Sequence, residues 1–225
     1  MNRLQTELHR LFPPASDGVR TLVLELAQPA DWGALGRVWR GVQADLALPA
    51  PAIAVSGTDG LQLWFSLQQS VSDARACAFL ARLQARYLAE LAPARVRTMP
   101  SATTPAWQAA PVPAQQAVTE NWSAFVAPDL APVFADTPWL DIEPGAEGQA
   151  DLLARLDAIP PAAFEAALQR LQGQAPAPIA APTPAPATAP KADVQPRAFL
   201  QQVLNDETVP LALRIEAAKA LLRHA

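Results

Sequence analysis

The chain has 225 residues, 51% hydrophobic and 17% charged, enough to bury a core in one ordinary domain with appendages. Its net charge of −4 is uneven: residues 1–100 carry ten bases against eight acids, 101–172 two against nine, and 173–225 five against four. No segment is basic enough for tight nonspecific nucleic-acid binding, one cysteine excludes an internal disulfide, and two histidines cannot build a Cys/His zinc cluster.

In chain order, residues 2–12 read as a short amphipathic helix through Leu4, Leu8 and Leu11, stopped by Pro13-Pro14. Acids and bases are interspersed there, so it does not read as a secretory signal. The chain contains no run of 18 apolar residues, so the expectation is a cytoplasmic protein without a membrane span. Thr21 to Leu26 (TLVLEL) is a compact apolar strand. Asp31 offers an N-cap for a helix from Trp32 to Leu46, with Leu35, Val38, Trp39, Val42 and Leu46 on a 3.6-residue period. Strands follow at Ala52 to Ser56 and Leu61 to Leu67, linked by Gly57-Thr58-Asp59-Gly60, which suits a tight hairpin. Val71-Ser72 then leads into a helix from Asp73 to Leu91, whose buried stripe is Ala76, Phe79, Leu80, Leu83, Tyr87 and Leu91. The order is β-α-β-β-α, an α/β class with a mixed or antiparallel sheet.

Residues 93–119, rich in Pro, Ala, Thr and Gln, read as loop. Residues 120–145 combine acids with Trp122, Phe125, Phe134 and Trp139, too apolar for a linker, and are expected to pack on the first domain; an exposed, partner-binding stretch is the alternative. Residues 149–171 form a helix or a helical pair broken at Pro160-Pro161, where Pro161 suits a first helical turn. The domain expectation is therefore an α/β domain with helical extension over 1–172, a Pro/Ala-rich spacer over 173–196, and a helical module over 197–225 split at Pro210.

Two short motifs carry a resemblance. Leu22-Val23-Leu24-Glu25-Leu26-Ala27-Gln28-Pro29 is an apolar strand with an acid near its end and a proline after it. About 30 residues on comes Ser56-Gly57-Thr58-Asp59-Gly60-Leu61-Gln62, running into a further strand. Over residues 19–98 this resembles the catalytic core of the archaeo-eukaryotic primase superfamily, and in particular the polymerase domains of bacterial end-joining DNA ligases. The resemblance implies a strand ending in Asp-x-Asp that holds two divalent metals, and a Ser-Gly-x-x-Gly-x-His turn that meets the incoming triphosphate. Here Glu25 and Ala27 stand where the paired aspartates would be, and Gln62 where the histidine would be. One carboxylate remains where two hard cations need several anionic oxygens, and glutamine cannot carry a positive charge. Asp129, Asp136 and Asp141 are the positional candidates for the family's third acid. The expectation is a non-catalytic relative without cofactor or metal, in which Glu25, Ser56, Gly57, Gly60 and Gln62 persist as a vestigial nucleotide or nucleic-acid cradle.

Each element of that site has a plain structural alternative. The turn is then only a hairpin, with Gly57 and Gly60 supplying positive φ and Gln62 on the solvent face of an alternating strand. Glu25 is then a strand-end carboxylate at the surface. Arg75, Arg82 and Arg86 lie on one helix face, continued by Arg95 and Arg97, and form either a phosphate-contacting edge or a solvated stripe. Trp64 and Phe65 could stack on bases, although burial of both is the stronger expectation.

The sequence FLQQVLNDETVPLALRIEAAKALLRHA at 199–225 resembles a short module of phage-type proteins, including small terminase subunits. A helical hairpin of this size is not stable alone, so it is expected to dock on its own domain, another copy or a partner, with Phe199, Leu200, Leu211, Ile215 and Leu222 as the partner-binding residues. Taken together the chain reads as a non-catalytic, primase-derived accessory protein of mobile-element or phage-related DNA replication. It would bind single-stranded DNA or a replication protein weakly. The alternatives are an interaction or scaffold protein acting through its last helices without nucleic acid, and a residual metal-dependent nucleotidyltransferase. No Walker loop, GxSxG, HExxH or paired Cys/His nucleophile points to other chemistry.

Overall fold

In the computed structural model, which describes residues 2–14, 17–102 and 107–172, the chain runs α1 (Arg3–Leu11), β1 (Val19–Ala27), α2 (Trp32–Ala44), β2 (Ala52–Val55), β3 (Gly60–Val71), α3 (Asp73–Tyr87), β4 (Val96–Met99), β5 (Ala124–Val126), α4 (Ala146–Ala154) and α5 (Pro161–Gln172). The five strands form one sheet in the order β4-β1-β3-β2-β5, with every neighbouring pair antiparallel. The fold is a mixed α/β fold, and the β-α-β-β-α order read from the sequence is present.

Both faces of the sheet are covered, which is why β1 and β3 read as near-continuous apolar runs. On one face Leu22, Leu24, Leu26, Leu61, Leu63 and Phe65 pack against α2, α3 and α5. On the other, Val23, Ala52, Ala54, Trp64 and Phe125 pack against Leu4 and Leu11 of α1 and Ala150 and Leu153 of α4. Trp64 and Phe65 are therefore both buried, on opposite faces. Burying each such side chain stabilises the fold by about 1.5–3 kcal/mol before chain entropy is set against it.

Local signals fix most boundaries. The Asn2 and Asp31 carboxamide and carboxylate oxygens accept the N–H groups of Gln5 and Ala34, capping α1 and α2. Pro161 opens α5 as expected. Two expectations need correction. Helix α3 stops at Tyr87 rather than Leu91, because Leu88 leaves helical geometry ahead of Pro93. Residues 96–99, read as loop, form β4 on the sheet's outer edge; a four-residue strand between Pro93 and Pro100 is too short to show a period.

The second face is sealed by contacts far apart in sequence. The Arg10 guanidinium donates to the carbonyls of Leu153 and Leu156 at the end of α4, at 2.9 and 3.0 Å. The Ser66 hydroxyl donates to the Leu11 carbonyl at 2.6 Å. Gln149 of α4 turns its amide onto β5, accepting from the Phe125 N–H at 2.8 Å and donating to the Phe125 carbonyl at 2.9 Å. A buried side chain thus stands in for the next strand.

Candidate functional site

Two of the residues singled out from sequence, Glu25 and Gln62, lie in one cross-strand row of the second face. Arg97 of β4, Glu25 of β1, Gln62 of β3, Ala54 of β2 and Phe125 of β5 are successive partners in the ladder. Glu25 and Gln62 are 2% and 3% exposed. The Gln62 side-chain nitrogen donates to Glu25 Oε2 at 2.5 Å, and its oxygen accepts from the Trp64 indole at 2.8 Å. Arg97 donates to Glu25 Oε1 at 2.7 Å and makes longer contacts of 3.3 Å to both Asp59 carboxylate oxygens. Burial pushes the Glu25 carboxyl above its ordinary range, and the hydrogen bonds from Gln62 and Arg97 counter this without cancelling it.

This geometry corrects both surface alternatives. Gln62 does alternate with Leu61 and Leu63, but the face it points to is covered by a second layer instead of water. Glu25 is likewise an interior carboxylate satisfied by a guanidinium and an amide. The glycines divide the work. Gly57 has a φ of +80° and supplies the left-handed turn residue. Gly60 has no such conformation; a Cβ there would lie 2.8 Å from Cγ and 2.9 Å from Cδ of Glu25, so its bare backbone makes room for the acid.

The turn consumes its own donors. Ser56 Oγ accepts from the N–H groups of Thr58 and Gly60 at 3.1 and 3.0 Å. The Ser56 N–H bonds to the Gly60 carbonyl, and the Gly57 N–H to the Pro138 carbonyl. The expected cradle of turn N–H groups is therefore occupied by the protein itself at these four positions.

The arginines of α3 are inter-element ties rather than a common edge. Arg75 pairs with Glu165 of α5. Arg82 faces the side chain of Gln172, whose oxygen, with the amide turned toward the guanidinium, accepts at 3.0 and 3.1 Å. Arg86 bonds Asp45 at 2.9 Å, beside the Tyr87 hydroxyl on the same carboxylate. Burial, with Asp45 acting in the same direction, pushes the Tyr87 hydroxyl up to about 12. Asp129, Asp136 and Asp141 are exposed. Among the described residues no group of three or more His, Cys, Asp or Glu is arranged to hold a metal ion. Phe199, Leu200, Leu211, Ile215 and Leu222 lie outside the described residues.

Sequence reasoning missed Arg97 as the partner of Glu25, because its strand was read as loop. The tetrapeptide Val96-Arg97-Thr98-Met99 is too short to have signalled a strand, and only the pairing with β1 sets Arg97 opposite Glu25. Sequence reasoning also missed Gln149, the polar residue among α4's buried positions Ala150 and Leu153. Among the described residues no helix is long and apolar enough to cross a membrane. Comparisons with protein-family models, curated proteins and solved structures found no match to this chain.

Proposed function

We propose that the protein is a non-catalytic, cytoplasmic accessory protein on a primase-like frame that acts by binding a protein partner in DNA replication. The observation that carries this reading is the state of Glu25. By the sequence resemblance it stands where the family's first metal-holding acid would be, yet both its oxygens are taken, one by Arg97 and one by Gln62. Two-metal phosphoryl transfer needs carboxylate oxygens free to converge on the cations, and a guanidinium already fills that electrostatic role here. Gln62 turns its amide to Glu25 and Trp64 rather than outward to a triphosphate. The pairing of Arg75 and Arg86 with acids of other elements favours a protein partner over a phosphate backbone. The mobile-element or phage-related setting rests on the two sequence resemblances.

The test is primer extension with Mn²⁺ on the full chain, alongside titration of a labelled single-stranded oligonucleotide at low and moderate salt. We expect no extension, and no oligonucleotide binding that survives moderate salt. Extension that disappears in Glu25→Gln, or salt-resistant oligonucleotide binding, overturns the reading.

A further inference from the structure

Strand β5 ends after three residues, and beside its end an apolar groove of about 260 Å³ opens between α2 and α4. Trp39, Ile53, Val126, Pro128, Leu152 and Leu156 supply its hydrocarbon. The polar atoms nearby are satisfied from behind. The Trp39 indole N–H donates to the Pro51 carbonyl at 3.1 Å, Arg10 takes the Leu153 and Leu156 carbonyls, and Gln149 closes the Phe125 backbone. What the groove presents to a ligand is therefore apolar, with Asp129 and Arg155 as the charged residues of its lining. Next along the chain from Asp129, Leu130 and Val133 are 52% and 69% exposed and three residues apart in a single helical turn.

The charge around this strip is mainly acidic, with Arg155 as the cation of the groove's lining. Residues 107–154 hold seven acids and no lysine or arginine. Glu147 and Asp151 pair with Arg3, whereas Asp129 and Asp136, which flank Leu130 and Val133, are exposed carboxylates with no ion pair among the described residues. Addition of a strand at this edge is blocked where Gln149 occupies the Phe125 N–H and carbonyl, so the groove suits inserted side chains.

We infer that this groove docks a cationic amphipathic helix of a partner protein. Its apolar side chains enter beside Trp39 and Ile53 and run over Leu130 and Val133, and its basic residues meet Asp129 and Asp136. The inference rests on the partner-binding reading above and names the partner's chemistry.

Fluorescence anisotropy on the full chain tests it, with three labelled 18-residue peptides as probes: an amphipathic Leu/Lys helix, the same composition scrambled so that no apolar face forms, and an amphipathic Leu/Glu helix. The Leu/Lys helix is expected to bind at least about tenfold tighter than either comparator and to weaken as salt rises. The surface variants Asp129→Lys with Asp136→Lys, and Leu130→Ser with Val133→Ser, are each expected to weaken it by about tenfold. Equal binding of the scrambled peptide, tighter binding of the Leu/Glu helix, or unchanged affinity in both variants overturns the proposal. Primer extension on the same preparation keeps the two readings apart. Absent peptide binding without extension sinks the groove alone, and extension sinks the non-catalytic reading whatever the peptide does.

Discussion

Gly60 lies beneath Glu25 so closely that a single added methyl would sit 2.8 Å from the acid's Cγ. The acid cannot swing aside at no cost, because Arg97 and Gln62 hold its two oxygens. The glycine and the carboxylate are one packing unit, although 35 positions of chain separate them.

Gly60→Ala is therefore expected to destabilise the protein by about 1–3 kcal/mol through overpacking. The same change in a Glu25→Ala background is expected to cost at least about 1 kcal/mol less, since the clashing atoms are gone. Urea unfolding of the four proteins in this double-mutant cycle measures the coupling, and additive effects would refute it.

Glu25 sets a pH dependence of unusual sign for a carboxylate. Its folded pKa is raised, so its contribution to stability is fully present below the unfolded value of about 4.3 and is lost as pH rises through the raised folded value. Glu25→Gln removes that dependence. Subtracting the variant's stability-versus-pH curve from the wild-type curve should leave a difference that declines with rising pH over that window. A flat or rising difference would show that Arg97 outweighs burial.

Arg97→Met leaves the Glu25 carboxyl buried with only Gln62, and is expected to cost about 3–5 kcal/mol at neutral pH, as one-sided loss of a buried pair does. Arg75→Met removes an exposed tie to Glu165 and is expected to cost no more than about 1 kcal/mol. Chemical denaturation of both variants under one buffer checks the contrast.

Gln149→Leu keeps the volume of the α4 side chain but strips the Phe125 N–H and carbonyl of their partners. Each buried unsatisfied group costs about 1–3 kcal/mol, so a loss of about 2–6 kcal/mol is expected for the two. The variant should also aggregate more readily, because the edge of β5 is then a free template for another strand. Equilibrium unfolding and light scattering read the two effects.

The elements legible in the sequence were those whose signals are local. Asp31 announced α2, and the period of Phe79, Leu80 and Leu83 announced α3. The turn at Gly57 marked the hairpin. What could not be read was which side of the sheet is wet. The alternation that places Gln62 opposite Leu61 and Leu63 is identical whether the far face meets solvent or a second layer. The layer that decides it comes from residues 3–11 and 146–154, far from β3 in sequence. Arg97 was hidden for the same reason: its strand exists because β1 pairs with it, and its own four residues carry too little pattern to say so.

The bonds from Arg10 to the carbonyls of Leu153 and Leu156 span 143 and 146 positions, and this bears on how the chain is made. Helix α1 can rest on the sheet through Leu4, Leu11 and the Ser66 bond, but its tie to α4 forms only once residues 146–156 have been synthesised. Until then this face of the sheet lacks the part of its cover that α4 supplies, and long-range closure of this kind is slow. A fragment cut after residue 98 would carry the whole β-α-β-β-α frame yet lose β5 and α4, including Phe125, Ala150 and Leu153 of the second face. Residues 19–98 are thus not a self-sufficient piece of this protein, and the flanking α1 and α4 must be kept when they are trimmed for study.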